Sequence, residues 1–379
     1  NGITNNANAN IESITNQGII NGGITNSSQI GMIDNTGLIT GDLANNTINS
    51  IITTINTGSI TGSITNSGEI TTLNVTGNVT NGITNNANIG SLLVNESVSY
   101  KGNGSISNSL EVAQNKTLTA TNGITFNANK GSVNNLGTIA GDLTLKGSSN
   151  TLSNAGTING NLTNSANTST IANSGSINGT IINNATNGTI INANNSNIAA
   201  LDINESVIYN QGTNANITSN IDIAQNKTLR ADYGITLNAI NGNVNNEGIR
   251  AGILTLEGSS NSVTNSGSIT TIINNASNSN LTNNSNIGSL AVYENLTYNG
   301  NGNDRITQAL EVAKDKTLTI GNNGTLSFNS TKGSVNNVGT IVGNLSNVSN
   351  STLGTFINSG TINGDINNEG TITSIDNSG

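Results

Sequence analysis

Residues 355–379 read TFINSGTINGDINNEGTITSIDNSG, and within them Asn-x-Gly closes three runs, at Gly360, Gly370 and Gly379. Asn and Gly tolerate positive φ and interrupt strands, so each triplet marks a corner after a short Thr/Ile run. Such a stretch is either a disordered polar tract or a coil that turns a corner and returns to the same place. A disordered tract keeps no count, whereas a coil must close. Here the count is kept: Gly18, Gly37, Gly58 and Gly68 are 19, 21 and 10 residues apart, and Gly137, Gly156 and Gly175 are 19 and 19 apart. A unit of 19–21 residues, with occasional half-steps, underlies the chain.

The 379 residues include 81 Asn and 45 Gly, the composition of a low-complexity tract. Ile, Leu, Val and Phe nonetheless make up roughly a quarter of the chain, above the level of about 20% below which chains stay unfolded. The net charge of -9 is small for the length. A thin core is therefore affordable. Ordinary usage would give roughly 19 prolines, and there are none. Proline cannot donate to a strand ladder, so its absence suits strands paired on both sides and argues against Pro-rich linkers.

Local patterning agrees. In GTIAGDLTLKG the apolar Ile139, Leu143 and Leu145 alternate with small or polar residues, and GTINGNL and GTIVGNL repeat the spacing. No window carries a helical stripe. Three such strands and three turns per coil would stack each strand in parallel on its equivalent one coil earlier, about 4.8 Å away. The expected fold is all-β: a right-handed parallel β-helix of about 19 coils, continuous over 1–379. One coil cannot bury enough to offset its own ordering, so stacking must supply the difference. Asn can contribute by bonding to its own image at inside turns.

A longer repeat lies over the coils in LEVAQNKTLTATNGITFNANKGSVNN, IDIAQNKTLRADYGITLNAINGNVNN and LEVAKDKTLTIGNNGTLSFNSTKGSVNN, where Lys116, Lys227 and Lys316 correspond. The two long periods differ by about one coil. We divide the chain into N-terminal coils (1–80) and repeat blocks 1 (81–193), 2 (194–282) and 3 (283–379). Phe126, Leu237 and Phe328 correspond and are expected in the core.

Runs such as NKTLTA and NGTLSF, interleaved with NSGTINGDINNEGTI, resemble the passenger domains of Gram-negative autotransporters and the related filamentous haemagglutinin-type adhesins, over essentially the whole chain. The resemblance is one of repeat style, without a catalytic motif. It implies a right-handed β-helix, secreted or held at the bacterial surface, acting in adhesion or self-association. Signal peptide, barrel and starting Met are not seen, so the sequence reads as a piece of a larger protein.

Missing residues remove chemistry. Without Cys and His there is no disulfide, thiolate nucleophile, Ser-His-Asp triad or usual zinc site. The only Gly-Gly, Gly22-Gly23, lacks the acid of calcium-binding nonapeptides. No metal or cofactor is expected. Three arginines, Arg230, Arg250 and Arg305, form no basic stripe for nucleic acid, and no apolar run is long enough to insert in a membrane as a helix.

Asp202 and Asp222, 20 residues apart, are the strongest hint of an enzyme, since stacked carboxylates raise one pKa and suit acid and base roles. The corresponding pairs are Leu93 with Glu111 and Ala291 with Glu311, so solvated outward acids are the plainer reading. Three irregular stretches begin at Tyr100, Tyr209 and Tyr298. With Lys101 and Arg305 they are candidate contact loops; the plainer reading has the tyrosines capping the core at a widened coil. Asn204 in DINES fits an acid-x-Asn-x-Ser sequon, in a chain where Asn-x-Ser/Thr is frequent. The function expected is non-enzymatic adhesion to a host-surface glycan or protein receptor, or to copies of itself. The alternative is a β-helical carbohydrate-active enzyme using Asp202 and Asp222.

Overall fold

The computed structural model describes residues 1–321 and 324–379, and every regular element in them is a β-strand. The chain divides into two compact units, Asn1–Ile191 and Asn192–Gly379. The division falls within two residues of the boundary between repeat blocks 1 and 2, in a chain whose sequence suggested one continuous solenoid. Each unit is a parallel β-solenoid, and counted over both the chain makes about 20 turns.

Unit 1 is read most directly along one inward column. Ile14, Ile33, Ile55, Leu73, Leu92, Leu110, Val133, Leu152 and Ile171 are successive register partners. All are buried. Unit 2 has the matching column Leu254, Ile272, Leu290, Leu310, Val335, Phe356 and Ile375. Phe126, Leu237 and Phe328 lie in the core as expected. Coil lengths scatter about the 19–21-residue count. The shortest, Ile83 to Tyr100 and Leu281 to Tyr298, are 17 residues, and lengthened ones such as Leu110 to Val133, at 23, follow them. The left-handed corner of the NKT turn is taken by Asn115 and Asn226, and in the DKT turn by Asp315, each with φ near 60°. These are residue types that accept that conformation.

Asparagine side chains fill the inside of the turns. In unit 1 the Nδ2 of Asn5 donates to the Oδ1 of Asn26 (2.8 Å), and the bond repeats from Asn26 to Asn45, Asn45 to Asn66 and Asn66 to Asn85 at 2.9 Å. Asn135, Asn154 and Asn173 form a second ladder at 2.7 Å. Unit 2 carries Asn246, Asn265 and Asn283, then Asn337, Asn358 and Asn377. The second N–H of most of these amides is used as well; that of Asn66 reaches the Asn88 carbonyl at 2.9 Å. These inside ladders run one way, with donors pointing to the next coil. At the heads of three of them, Asn135, Asn246 and Asn337, the side-chain oxygen has no donor.

A mid-ladder amide thus satisfies neighbours on both sides, and a head satisfies one. Asn66→Leu breaks four bonds, those its Oδ1 accepts from the Asn45 Nδ2 and the Gly68 N–H and those its Nδ2 donates to the Asn85 Oδ1 and the Asn88 carbonyl, and is expected to cost about 2–3 kcal/mol. Asn246→Leu breaks two, from its Nδ2 to the Asn265 Oδ1 and the Ser268 carbonyl, and should cost about half as much. Urea unfolding midpoints of the two variants check the order; equal midpoints would contradict it.

Candidate functional site

The tyrosines of the irregular stretches are not surface groups: Tyr100, Tyr209 and Tyr298 are all buried. The reason is a substitution within the ladder. Where preceding coils carry Ile83-Thr84-Asn85 and Leu281-Thr282-Asn283, the shortened coils carry Tyr100-Lys101-Gly102 and Tyr298-Asn299-Gly300. The ring takes the aliphatic position and the glycine leaves out the amide. The tyrosine hydroxyl then accepts the last ladder bond, from Asn85 to Tyr100 and from Asn283 to Tyr298, each at 3.0 Å. Tyr298 Oη in turn donates to the buried Asp304 carboxylate at 2.6 Å. Burial raises the pKa of Tyr100, Tyr209 and Tyr298 above the usual phenol range. Burial of all three rings corrects the contact role expected for them to the plainer one, a place in the core, and Tyr100 and Tyr298 terminate ladders there. Lys101 is exposed, while Arg305 is half-buried and donates to the Gly302 and Asp304 carbonyls.

Lys116, Lys227 and Lys316 each reach back one coil to Glu96, Glu205 and Glu294 at 2.8 Å. The pair recurs beside each of the three tyrosine coils. Being half-exposed, it contributes little stability.

Asp202 and Asp222 are register partners in a parallel ladder, as their spacing suggested. They line a shallow groove with Asn204, Asn245 and Glu247. Partial burial raises the Asp222 pKa, the Asp202 and Glu247 charges add to the rise, and Asn245 opposes it. Neither a cation nor an aromatic ring lines this groove. Among the described residues no cluster of potential metal ligands occurs, and no helix is long and apolar enough to cross a membrane.

A third feature is a rank of hydroxyls on the outer face of unit 1. Thr54, Thr72, Ser91, Ser109, Ser132, Thr151 and Thr170 occupy one register column over seven coils. All are half-buried or exposed. Strand spacing sets them about 4.8 Å apart. The column forms a continuous polar strip along the unit.

Sequence reasoning missed Arg250, which is 1% exposed and stands where blocks 1 and 3 carry Ile139 and Ile341. Its terminal nitrogens bond the Ala251 and Ile253 carbonyls, its Nε has no partner, and burial pulls its pKa down to about 10. Tyr209 lies beside it, with Asn192 next to its hydroxyl. The signal was available in GIRAG, set against GTIAG and GTIVG.

No family model, curated protein or solved structure matches this chain.

Two outcomes are expected. Replacing an uncompensated buried charge by the aliphatic residue of the sister blocks, Arg250→Ile, should stabilise by about 1–4 kcal/mol; a lowered melting temperature would contradict this. An acid with a raised folded pKa binds protons more tightly when folded, so stability falls as pH rises through the window from 3.8 to its folded pKa. Asp222→Asn should therefore stabilise at pH 7 and have no such effect at pH 3. The same effect at both pH values would contradict the assignment.

Proposed function

We propose that this chain is a non-enzymatic adhesive solenoid, displayed at or secreted from the surface of a Gram-negative bacterium. It would bind a host-surface glycan or protein receptor, or further copies of itself. The observation that carries the reading is the seven-residue hydroxyl column of unit 1. Evenly spaced hydroxyls offer many equivalent weak contacts, and simultaneous engagement converts them into avidity. The repeat-style resemblance to autotransporter passenger domains supports the location and the role.

The stacked pair Asp202 and Asp222 supports a second reading, a carbohydrate-active enzyme, because Asp222 holds its proton above the ordinary range. Two features weigh against it. The groove offers no aromatic platform for a sugar ring and no cation to steady a developing charge. The pair also occurs in only one of three blocks.

Beads coated with the chain should adhere to epithelial cells, matrix proteins or one another above an albumin control. Adhesion should fall severalfold when Thr54, Thr72, Ser91 and Ser109 are all changed to Ala. Coated beads that behave as the control on every surface would overturn the adhesive reading. Cleavage of a polysaccharide, lost in Asp222→Asn, would replace it with the enzymatic one.

A further inference from the structure

In block 2 the outer face around Arg230 departs from its counterparts. Ile208, Arg230 and Ala251 are register partners on three successive coils, and Thr228 pairs with Ile249 beside them. The equivalent positions carry Ser99, Thr119, Ala140 and Thr138 in block 1, and Thr297, Thr319, Val342 and Thr340 in block 3. Polar hydroxyls on two blocks thus become isoleucine and arginine on the third. Ile208 and Ile249 are 42% and 48% exposed, and Ile253 is 43% exposed.

Along one edge of this patch the strand Thr228–Ile240 bulges. Ala231 pairs with Gly252 and Ile235 with Leu254, so Asp232, Tyr233 and Gly234 stand opposite the single residue Ile253. Gly234, at φ +85°, makes the turn possible. Block 1 has the same bulge, with Asn122 in place of Tyr233 and Gly123 at φ +74°. A bulge re-aims the side chain it carries, and here that chain is a tyrosine ring 81% exposed. The loop is braced by a two-pronged ion pair, Arg230 Nε to Asp232 Oδ1 at 2.8 Å and Nη2 to Oδ2 at 2.9 Å. Nothing in the core requires this tyrosine or these isoleucines. The combination of Tyr, Arg and aliphatic side chains is the one that concentrates at protein interfaces.

We propose that this patch is a self-recognition surface that pairs two copies of the chain about a two-fold axis. The occupant follows from the charges. One Arg and one Asp side by side among apolar groups are complementary to the same patch rotated by 180°, so the Arg230 of each copy can meet the Asp232 of the other. The guanidinium uses two donors internally and keeps others for its partner. The three coils span about 10 Å along the stacking direction, a small footprint that fits a weak, reversible dimer. The inference rests on the self-association arm of the proposed function and gives it a location.

Sedimentation velocity of the whole chain over a wide concentration range tests it. The unaltered chain should dimerise reversibly at high concentration. Tyr233→Asn and Ile249→Thr install the residues that block 1 carries on the same framework, so they should fold, with unchanged circular dichroism, and weaken dimerisation about tenfold or more. Arg230→Asp and Asp232→Arg should each be monomeric alone and should pair again when mixed. A chain monomeric at every concentration overturns the proposal and leaves adhesion to foreign surfaces standing. Association untouched by Tyr233→Asn and Ile249→Thr, or no recovery on mixing the charge variants, overturns the patch while the adhesive reading stands. A monomer that binds a neutral oligosaccharide through Tyr233 would reassign the patch to a sugar.

Discussion

The hydrogen bond from one buried asparagine amide to the same amide on the next coil is the constraint on which the rest of this structure depends. A coil of about 20 residues has too few apolar side chains to fill its interior, and its turns bring polar backbone inward. Asparagine carries two donors and an acceptor on a short side chain, so it can satisfy its image and a turn carbonyl together. Asn66, fully buried, does both. An aliphatic residue there would leave the carbonyl without a donor, and a charged one would repel its image. The requirement also fixes register, because a slip of one residue moves the inward face outward.

Departures from the ladder follow the same accounting. Tyr100 and Tyr298 replace an aliphatic residue and an amide at once, which lets a coil lose two residues without orphaning the amide before it. Arg250 is the departure without compensation. A guanidinium held by backbone carbonyls alone, with no carboxylate, is a costly element in a core that otherwise holds Ile at this position. We find no structural benefit that offsets it.

Most of the fold was legible in the sequence because its signals were local and repeated. The Asn-x-Gly count gave the coil, the absence of proline gave strands paired on both sides, and the 20-residue gap between Asp202 and Asp222 gave their stacking. The surface was harder to read. The three tyrosines were readable either as contact residues or as caps of the core, since aromatics beside irregular glycines resemble loops; only the register showed Tyr100 and Tyr298 standing where Ile83 and Leu281 stand one coil earlier. Tyr233 drew no notice, because its exposure comes from a bulge that periodicity does not reveal and that depends on the pairing of Ala231 and Ile235 with their neighbours. A functional surface on a repeat protein is best sought where one block breaks the residue types of its sisters. Block 2 does so at Ile208, Arg230, Tyr233 and Ile249.

The central claim is that inside-turn amides are locked into continuous, buried ladders, and exchange of side-chain amide protons measured by NMR tests it most directly. The Nδ2 protons of Asn26, Asn45 and Asn66 should be strongly protected and exchange only with opening of the coils around them, while those of exposed Asn8 should exchange at the rate of a free amide. Ladder amides that exchange as fast as Asn8 would contradict the account.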